Sequence, residues 1–571
     1  MSAIHSEVDN IRAGIHSNGW WLGLIGPVLA LTVLLYLSLM AALGSAQWRW
    51  DDTQILVSII RLPLLDHFID PGTWQSYSPA NLTPWLLASY KIDLSLFGLR
   101  PTLFYLHQLL ALGGVTWILY LLLRLWVERL PAGFGALLFV TGAPLAFMSQ
   151  QLMTRHYVEG AIFAMLSLYW YVRYLRRAGS IKLLVSVAAF GLAATAKEIY
   201  LPLLLLLPFV PESHWRRRLL ASVPFAAMVL IYSIWRAFML GSLSGGYGTA
   251  TTTLSPQLAL TVMNSLTTLP ALLLGSPALP FFSLVLLLSL YYFSRNPARL
   301  LPALVAAAGV LGPLLPLVLT PGITSPDRYL FLPWLTLCFA VALFADAALR
   351  SSRQASGSAL LFAIGLLLLM PLPRAWSMRN EVLVVGREFD AQAVFIWENS
   401  SDTAYTPPAN VLASYWFVQG LETLKSARGD TGLAPTAVID PLFLDPDLSS
   451  LYEFNRDCLC FVDASASLPA RRQGFMDRHR PNAPLSLSYS YLDRIFSWQA
   501  GPYDSGNWHF LSEQLGGLAP VPSRGELRLS LAEGGVLYLR YTSPEGWVTY
   551  SDGLVIRKQQ QPTTWQRLGD R

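Results

Sequence analysis

"TLFYLHQLLALGGVTWILYLLL", residues 102–123, carries no Asp, Glu, Lys or Arg and runs directly into "RLWVER". A helix needs about 20 mostly apolar residues to cross the hydrocarbon core of a bilayer, so this stretch reads as a membrane span closed by a basic loop. The rest of the chain repeats the pattern. Its 571 residues have a mean hydropathy of +0.43 and only 13% are charged, a composition outside that of soluble globular proteins. Apolar runs fit spans at 20–43, 102–123, 133–153, 158–174, 183–196, 199–210, 219–239, 279–293, 300–320, 329–349 and 360–372. The net charge of +5 does not point to nucleic acid, because Lys and Arg are spread through short loops rather than gathered on one face.

Those loops set the topology. "RLWVER", "RYLRRAGSIK", "HWRRR", "SRNPAR" and "RSSR" belong on the cytoplasmic side. They share a side only if residues 255–277 do not cross, and there Gln257, Thr261, Asn264, Ser265 and Thr268 form a polar helical stripe suited to an interfacial helix. The expected fold is a polytopic α-helical membrane protein of about eleven spans, with a cytoplasmic N terminus and an extracytoplasmic C terminus. "GSAQW" after the first run resembles a signal-peptidase site, but the run exceeds a signal-peptide core of about 7–15 residues and reads as a retained anchor.

From residue 375 the apolar runs stop. The chain therefore divides into a transmembrane domain, 1–374, and a soluble extracytoplasmic α/β or β-rich domain, 375–571. The latter contains a helix around 413–427 and a hairpin in "ELRLSLAEGGVLYLRYTS" turning at Gly534 and Gly535. Cys338 reads as a small buried residue; Cys458 and Cys460 are either a disulfide or two thiols, and no Cys and His cluster has zinc-site spacing.

Chemistry should lie where ionisable residues crowd the span ends. "WRWDDTQIL", residues 48–56, places Asp51 and Asp52 side by side at the start of a short helix expected to run to Pro63, and a second is expected over 84–97. A cap at the helix start accounts for one acid. Two adjacent anions repel, and a proton-transfer or cation-binding role accounts for the pair. On the same expected face lie Arg155, His156, Glu159, Lys197, Glu198, Arg236, Asp327 and Arg328. Each cation alone reads as a snorkelling interfacial side chain. Arg155, Lys197, Arg236 and Arg328 together suit a lipid phosphate.

The order "WDD", "SYSPANLTPWLLASYKIDLSLFGLRPTLFYLHQLL", "LMTRHYVEGAIFAMLSLYWYVRYL", "ATAKEIYLPLLLLLP" and "PDRYLFLP" resembles the GT-C superfamily of polyprenyl-phosphate-sugar-dependent glycosyltransferases. It is similar in particular to bacterial relatives of the O-mannosyltransferase branch that carries tetratricopeptide repeats. The resemblance covers roughly residues 20–350, and the tail lacks those repeats. It places the family's acidic motif on Asp51 and Asp52, its Lys-Glu motif on Lys197 and Glu198, and its Arg-Tyr-Leu-x-x-Pro segment on 327–333. It implies an inverting glycosyltransferase of a bacterial inner membrane that moves a sugar from a polyprenyl-phosphate donor to a protein or cell-envelope glycan on the periplasmic face. Asp51 or Asp52 then serves as base, the four cations meet the donor phosphate, and His156, Glu159 and Glu198 support the acceptor or a divalent cation. Relatives have an acid in the second loop where this chain has "RHYVEG", so metal use stays open. Membrane lipids are expected partners and nucleic acid is not. The competing readings are a secondary transporter or lipid flippase, which the one-sided charges and absent duplication disfavour, and a non-catalytic scaffold of envelope-glycan assembly.

Overall fold

The computed structural model describes residues 33–41, 47–78, 81–242, 268–312, 328–351, 354–400, 403–408, 415–429, 434–438, 447–492, 495–512, 517–528, 536–557 and 563–566. The polar stripe through residue 267, most of the first apolar run and Asp327 lie outside them. The described chain forms two compact units. One takes in 33–41, 105–150 and 268–379, the other 47–104, 151–242 and the residues from 380 on.

Among the described residues, five helices are long and apolar enough to cross a membrane: Pro101–Leu123, Trp215–Leu240, Ala278–Arg295, Arg328–Arg350 and Leu360–Glu398. Pro101 opens the first of these, where a missing N–H costs no helical hydrogen bond. Large apolar side chains such as Leu220, Leu230, Leu279 and Leu287 point outward, as lipid-facing helices require. In the first unit, Trp334 is buried and its indole N–H donates to the Phe139 carbonyl at 3.0 Å, while Cys338 is buried below it.

Two expected spans differ from the structure. Residues 133–153 are not one helix: Arg129–Val140 stops at Thr141, Gly142 is extended, and Pro144 starts the separate helix Ala143–Met148. Residues 199–210 form only short turns, Glu198–Tyr200, Leu203–Leu206 and Leu207–Phe209, because Pro202 and Pro208 each remove a helical donor.

The second unit is built on the helical hairpin Arg155–Arg176 and Ser180–Ala196, fastened where the Ser186 hydroxyl donates to the Ser167 carbonyl at 2.6 Å. The first-loop helices form at Asp52–Arg61 and Pro84–Phe97, as their spacing predicts, and Lys91 joins them by donating to the Ile59 carbonyl at 2.9 Å. Leu372–Glu398 is a single helix that runs across position 374. The helix Tyr415–Ala427 packs on Asp52–Arg61 at Gly420, where an added Cβ would lie 2.3 Å from Thr53 Oγ1; that hydroxyl donates to the Phe417 carbonyl.

Beyond this helix come two β-structures. A small mixed sheet has the order β2 (Thr436–Ala437), β1 (Ala404–Thr406), β3 (Leu451–Asn455), β4 (Cys460–Asp463), with β1 parallel to both neighbours. Cys458 and Cys460 form a disulfide before β4. The remaining strands are β5 (Ser486–Leu492), β6 (Ile495–Gly501), β7 (Asn507–Ser512), β8 (Gly517–Val521), β9 (Arg524–Arg528), β10 (Val536–Thr542), β11 (Val548–Tyr550), β12 (Leu554–Val555) and β13 (Thr563–Gln566). One sheet runs β11-β10-β7-β8 with β12 on β10, the other β13-β5-β6-β9. Alternate residues Leu487, Tyr489, Phe496, Trp498, Phe510, Leu537, Leu539 and Tyr541 fill one core from both sheets. The expected hairpin turn at Gly534 and Gly535 lies outside the described residues. Β9 pairs β6 and β10 pairs β7, so the two strands serve different sheets.

The close contact at Gly420 yields a test. Gly420→Ala should destabilise the purified protein by about 1–3 kcal/mol through overpacking. Gly474→Ala, in the helix Leu468–Arg478 with open space around its Cβ, should be neutral or stabilising. Equal thermal shifts for the two variants would contradict this packing.

Candidate functional site

The paired acids occupy unlike environments. Trp50 adopts φ +46°, a left-handed conformation costing about 1–3 kcal/mol for such a residue. The resulting tight turn folds Arg49 back onto Asp52: the Asp52 N–H donates to the Arg49 carbonyl at 3.1 Å, and the Arg49 N–H donates to Asp52 Oδ2 at 2.9 Å. Asp51 is the N-cap residue of Asp52–Arg61, but its side chain makes no capping bond and it remains half-buried. Asp52 is fully buried, and the Tyr90 hydroxyl donates to its Oδ1 at 2.9 Å. Burial pushes the Asp52 carboxyl up to about 7, and the Asp51 charge adds to the rise; the Arg49 N–H, Tyr90 and Arg155 pull against it.

Tyr90 belongs to a polar face on Pro84–Phe97 formed with Trp85, Ser89 and Asp93. The opposing face is the first turn of Arg155–Arg176. Arg155, fully buried, donates from Nη1 to Asp93 Oδ2 at 2.5 Å and to Ser89 Oγ at 3.3 Å, and from Nη2 to the Phe104 carbonyl at 2.8 Å. Its guanidinium carbon also lies 4.9 Å from the Tyr90 ring centroid. One turn on, Glu159 accepts from Trp85 Nε1 at 2.6 Å and from Ser89 Oγ at 2.7 Å. A continuous line of contacts thus joins Asp52, Tyr90, Arg155, Ser89 and Glu159.

The other side of the same helix start meets a second cluster. Lys197 Nζ lies 5.4 Å from the Tyr157 ring centroid, and His156 packs against Tyr157 at 4.6 Å between centroids. Arg236, on Trp215–Leu240, donates to Glu198 Oε1, which also accepts the Leu82 N–H at 3.2 Å. Trp235 fixes that part of the helix by donating to the Phe68 carbonyl at 2.8 Å.

Asp51, Asp52, Arg155, His156, Glu159, Lys197, Glu198 and Arg236 all belong to the second unit. Arg328 belongs to the first, in the turn Arg328–Leu330, where its guanidinium carbon lies 5.1 Å from the Tyr329 ring centroid. Arg155 holds a buried acid rather than snorkelling at an interface. Both oxygens of Asp52 and both of Glu159 take protein donors. Among the described residues, no group of three or more His, Cys, Asp and Glu side chains is arranged to hold a metal.

Sequence reasoning located the helix 84–97 but missed its polar residues. The spacing of Trp85, Ser89 and Asp93 at i, i+4 and i+8 was the available signal. Arg49 and Asp390 were also missed: Arg49 donates from Nε to Oδ1 at 2.8 Å and from Nη2 to Oδ2 at 2.6 Å, and the Gln47 N–H donates to Oδ1 at 3.0 Å. No local pattern announces that pair.

No family model matches this chain, and no curated protein does. Two solved structures of ArnT from Cupriavidus metallidurans are similar to it, one bound to undecaprenyl phosphate and one in the apo state. They share 13% and 12% identity over 79% and 76% of this chain, and 95% and 93% of theirs, with TM-scores of 0.41 and 0.39. At those scores the alignments carry no argument about function.

Two outcomes follow from the buried charges. Asp93→Asn should cost about 3–5 kcal/mol by leaving the Arg155 guanidinium without its anion, and a joint Asp93→Leu, Arg155→Met change should restore much of that loss; an additive double variant would contradict the pairing. The raised Asp52 value means that folding takes up a proton. Stability from this carboxyl is fully present below about pH 4 and is lost as pH rises through about 7. Thermal unfolding of Asp52→Asn should show a flatter pH dependence over that window than the parent chain, and matching curves would contradict the assignment.

Proposed function

We propose that this chain is an integral membrane glycosyltransferase that moves one sugar from a polyprenyl-phosphate donor to an acceptor outside the cytoplasm, with inversion at the anomeric carbon. The observation that carries the reading is the unequal acid pair: a buried Asp52 with a raised proton affinity beside a half-buried Asp51, in the same unit as Lys197 and Arg236. Adjacent carboxylates resist simultaneous ionisation, and the buried member takes the proton at lower cost. The motif resemblance to polyprenyl-phosphate-dependent glycosyltransferases supplies the substrate class.

In the proposed reaction, the Asp51 carboxylate accepts the proton of the acceptor hydroxyl while that oxygen attacks the anomeric carbon. The bond from that carbon to the phosphate oxygen breaks, and polyprenyl phosphate leaves with the electron pair. Charge on the phosphate grows along this path, so Lys197 and Arg236 stabilise the transition state more than the ground state. Arg155 acts as a positioning residue, since its donors hold Asp93, Ser89 and the Phe104 carbonyl. Glu198 holds Arg236, and His156, Glu159 and Glu198 position the acceptor or support a divalent cation. We further propose that Asp51, Lys197 and the tail lie on the periplasmic side and Arg177 and Arg217 opposite.

Purified protein given polyprenyl-phosphate sugars and envelope acceptors should release polyprenyl phosphate. Asp51→Asn should slow single-turnover transfer by about 10²–10⁴-fold. Asp52→Asn, which imitates the neutral acid, should retain most of the rate near pH 7. A larger loss in Asp52→Asn than in Asp51→Asn would reverse the two roles. Lipid movement across vesicles without sugar transfer would replace the reading with a flippase. Cysteine labelling that places positions 51 and 177 on one side would overturn the proposed topology.

A further inference from the structure

The tail carries a cleft of about 520 Å³ whose walls include His479, Arg480, Asn482, Tyr503 and Trp547. Its size lies within the range of small-ligand pockets. Its walls are fixed by the fold. The turn that presents Arg480 and Asn482 is tied to β11: the Arg480 N–H donates to the Val548 carbonyl at 2.9 Å, and the Ala483 N–H closes the turn on the Arg480 carbonyl at 3.1 Å. On the opposite wall, Tyr503 stacks on Tyr541 with centroids 4.1 Å apart and planes 14° apart, and the Tyr541 hydroxyl donates to the Ser505 carbonyl at 2.6 Å. Gly506 completes that loop at φ +97°, where a Cβ would lie 2.5 Å from the Thr542 carbonyl oxygen, so only glycine lets the loop press down on β10. Trp547 meets Tyr503 edge to face at 5.5 Å, and the Arg480 guanidinium carbon lies 4.8 Å from its ring centroid.

Tyr503 and Trp547 therefore remain half-buried at the lip of a rigid cleft, flanked by the exposed planar donors of Arg480 and Asn482. Rings in such a setting present flat apolar area, and their neighbours present directional hydrogen bonds. The charge is balanced as well. Glu545, held below the ordinary carboxylate range first by the Ser543 hydroxyl, also feels Arg480. A flat ligand with apolar C–H faces, a rim of hydroxyls and no net charge matches all three features. We propose that this cleft is a carbohydrate-binding site, in which a pyranose ring packs its C–H face against Trp547, with the Tyr503 ring, at 76° to Trp547, bounding its side, while Arg480 and Asn482 bond its hydroxyls. The inference stands on the tail alone and holds whether or not the membrane portion transfers sugars.

The test uses the full chain in lipid nanodiscs, with maltotriose, mannotriose, chitotriose and galactobiose as separate probes in saturation-transfer NMR and titration calorimetry. At least one should bind saturably through its ring protons. Trp547→Ala should weaken that binding by about tenfold or more, and Arg480→Ala by about three- to tenfold. Arg480 and Asn482 are exposed, so Arg480→Ala and Asn482→Ala should leave the thermal transition unmoved and keep the result interpretable even if Trp547→Ala fails to fold. Asp51→Asn should bind the same probe unchanged. No saturable binding by any probe up to about 10 mM would overturn the proposal. So would binding that survives Arg480→Ala and Asn482→Ala intact, or binding that Asp51→Asn abolishes.

Discussion

A guanidinium with no access to water needs acceptors for its N–H groups, and the candidate site supplies them to both terminal nitrogens of Arg155. Its Nε has no hydrogen-bond partner among the described residues. Asp93 supplies the anion, Ser89 and the Phe104 carbonyl take further N–H groups, and Tyr90 lies beneath the cation. Three of those partners sit on Pro84–Phe97, so burying one Arg fixes that helix against the start of Arg155–Arg176. Tyr90 then has little freedom, and its hydroxyl reaches Asp52. The same constraint explains why Asp52 can be buried at all. Its two oxygens are met by Tyr90 and by a backbone N–H delivered through the left-handed turn at Trp50.

The next layer ties the first loop to the polypeptide beyond residue 379. Arg49 forms a paired hydrogen-bonded bridge with Asp390, Trp50 packs on Phe389 at 5.1 Å, and Phe389 meets Phe417 edge to face at 4.9 Å. Thr53 and Gly420 bring Tyr415–Ala427 onto Asp52–Arg61. The part of the chain that reads as a soluble tail therefore begins by bracing the loop that carries the acids. That bracing offsets the local cost at Trp50, as strained turns require.

Much of this was legible. Hydropathy revealed the long helices because a bilayer demands about 20 apolar residues in succession. The local i, i+4 pattern marked the helix at 52–61. The acids and cations of "WRWDDTQIL", "RHYVEG" and "AKEIY" attracted notice because charge near a span end is costly. What stayed hidden was partnership. Nothing near Asp93 in sequence says that it will neutralise Arg155, and nothing near Asp390 points to Arg49, since those pairs arise only when distant helices meet. Prolines also acted more strongly than apolar counts suggested, which is why residues 199–210 failed to form one span. Alternation marks a strand's faces without naming its partner, so the sheets that β9 and β10 join were not legible.

The site depends on the raised proton affinity that burial gives Asp52. Infrared difference spectroscopy of the protein in lipid, taken across a pH titration, measures that affinity directly through the carbonyl stretch of a protonated carboxyl group. A buried carboxylic acid band should disappear with a midpoint near 7, be absent in Asp52→Asn and persist in Asp51→Asn. The Asp51→Asn midpoint should shift downward, because the neighbouring negative charge has gone. A spectrum of the parent chain with no band titrating near neutrality, or a band that survives in Asp52→Asn, would contradict the raised affinity of Asp52.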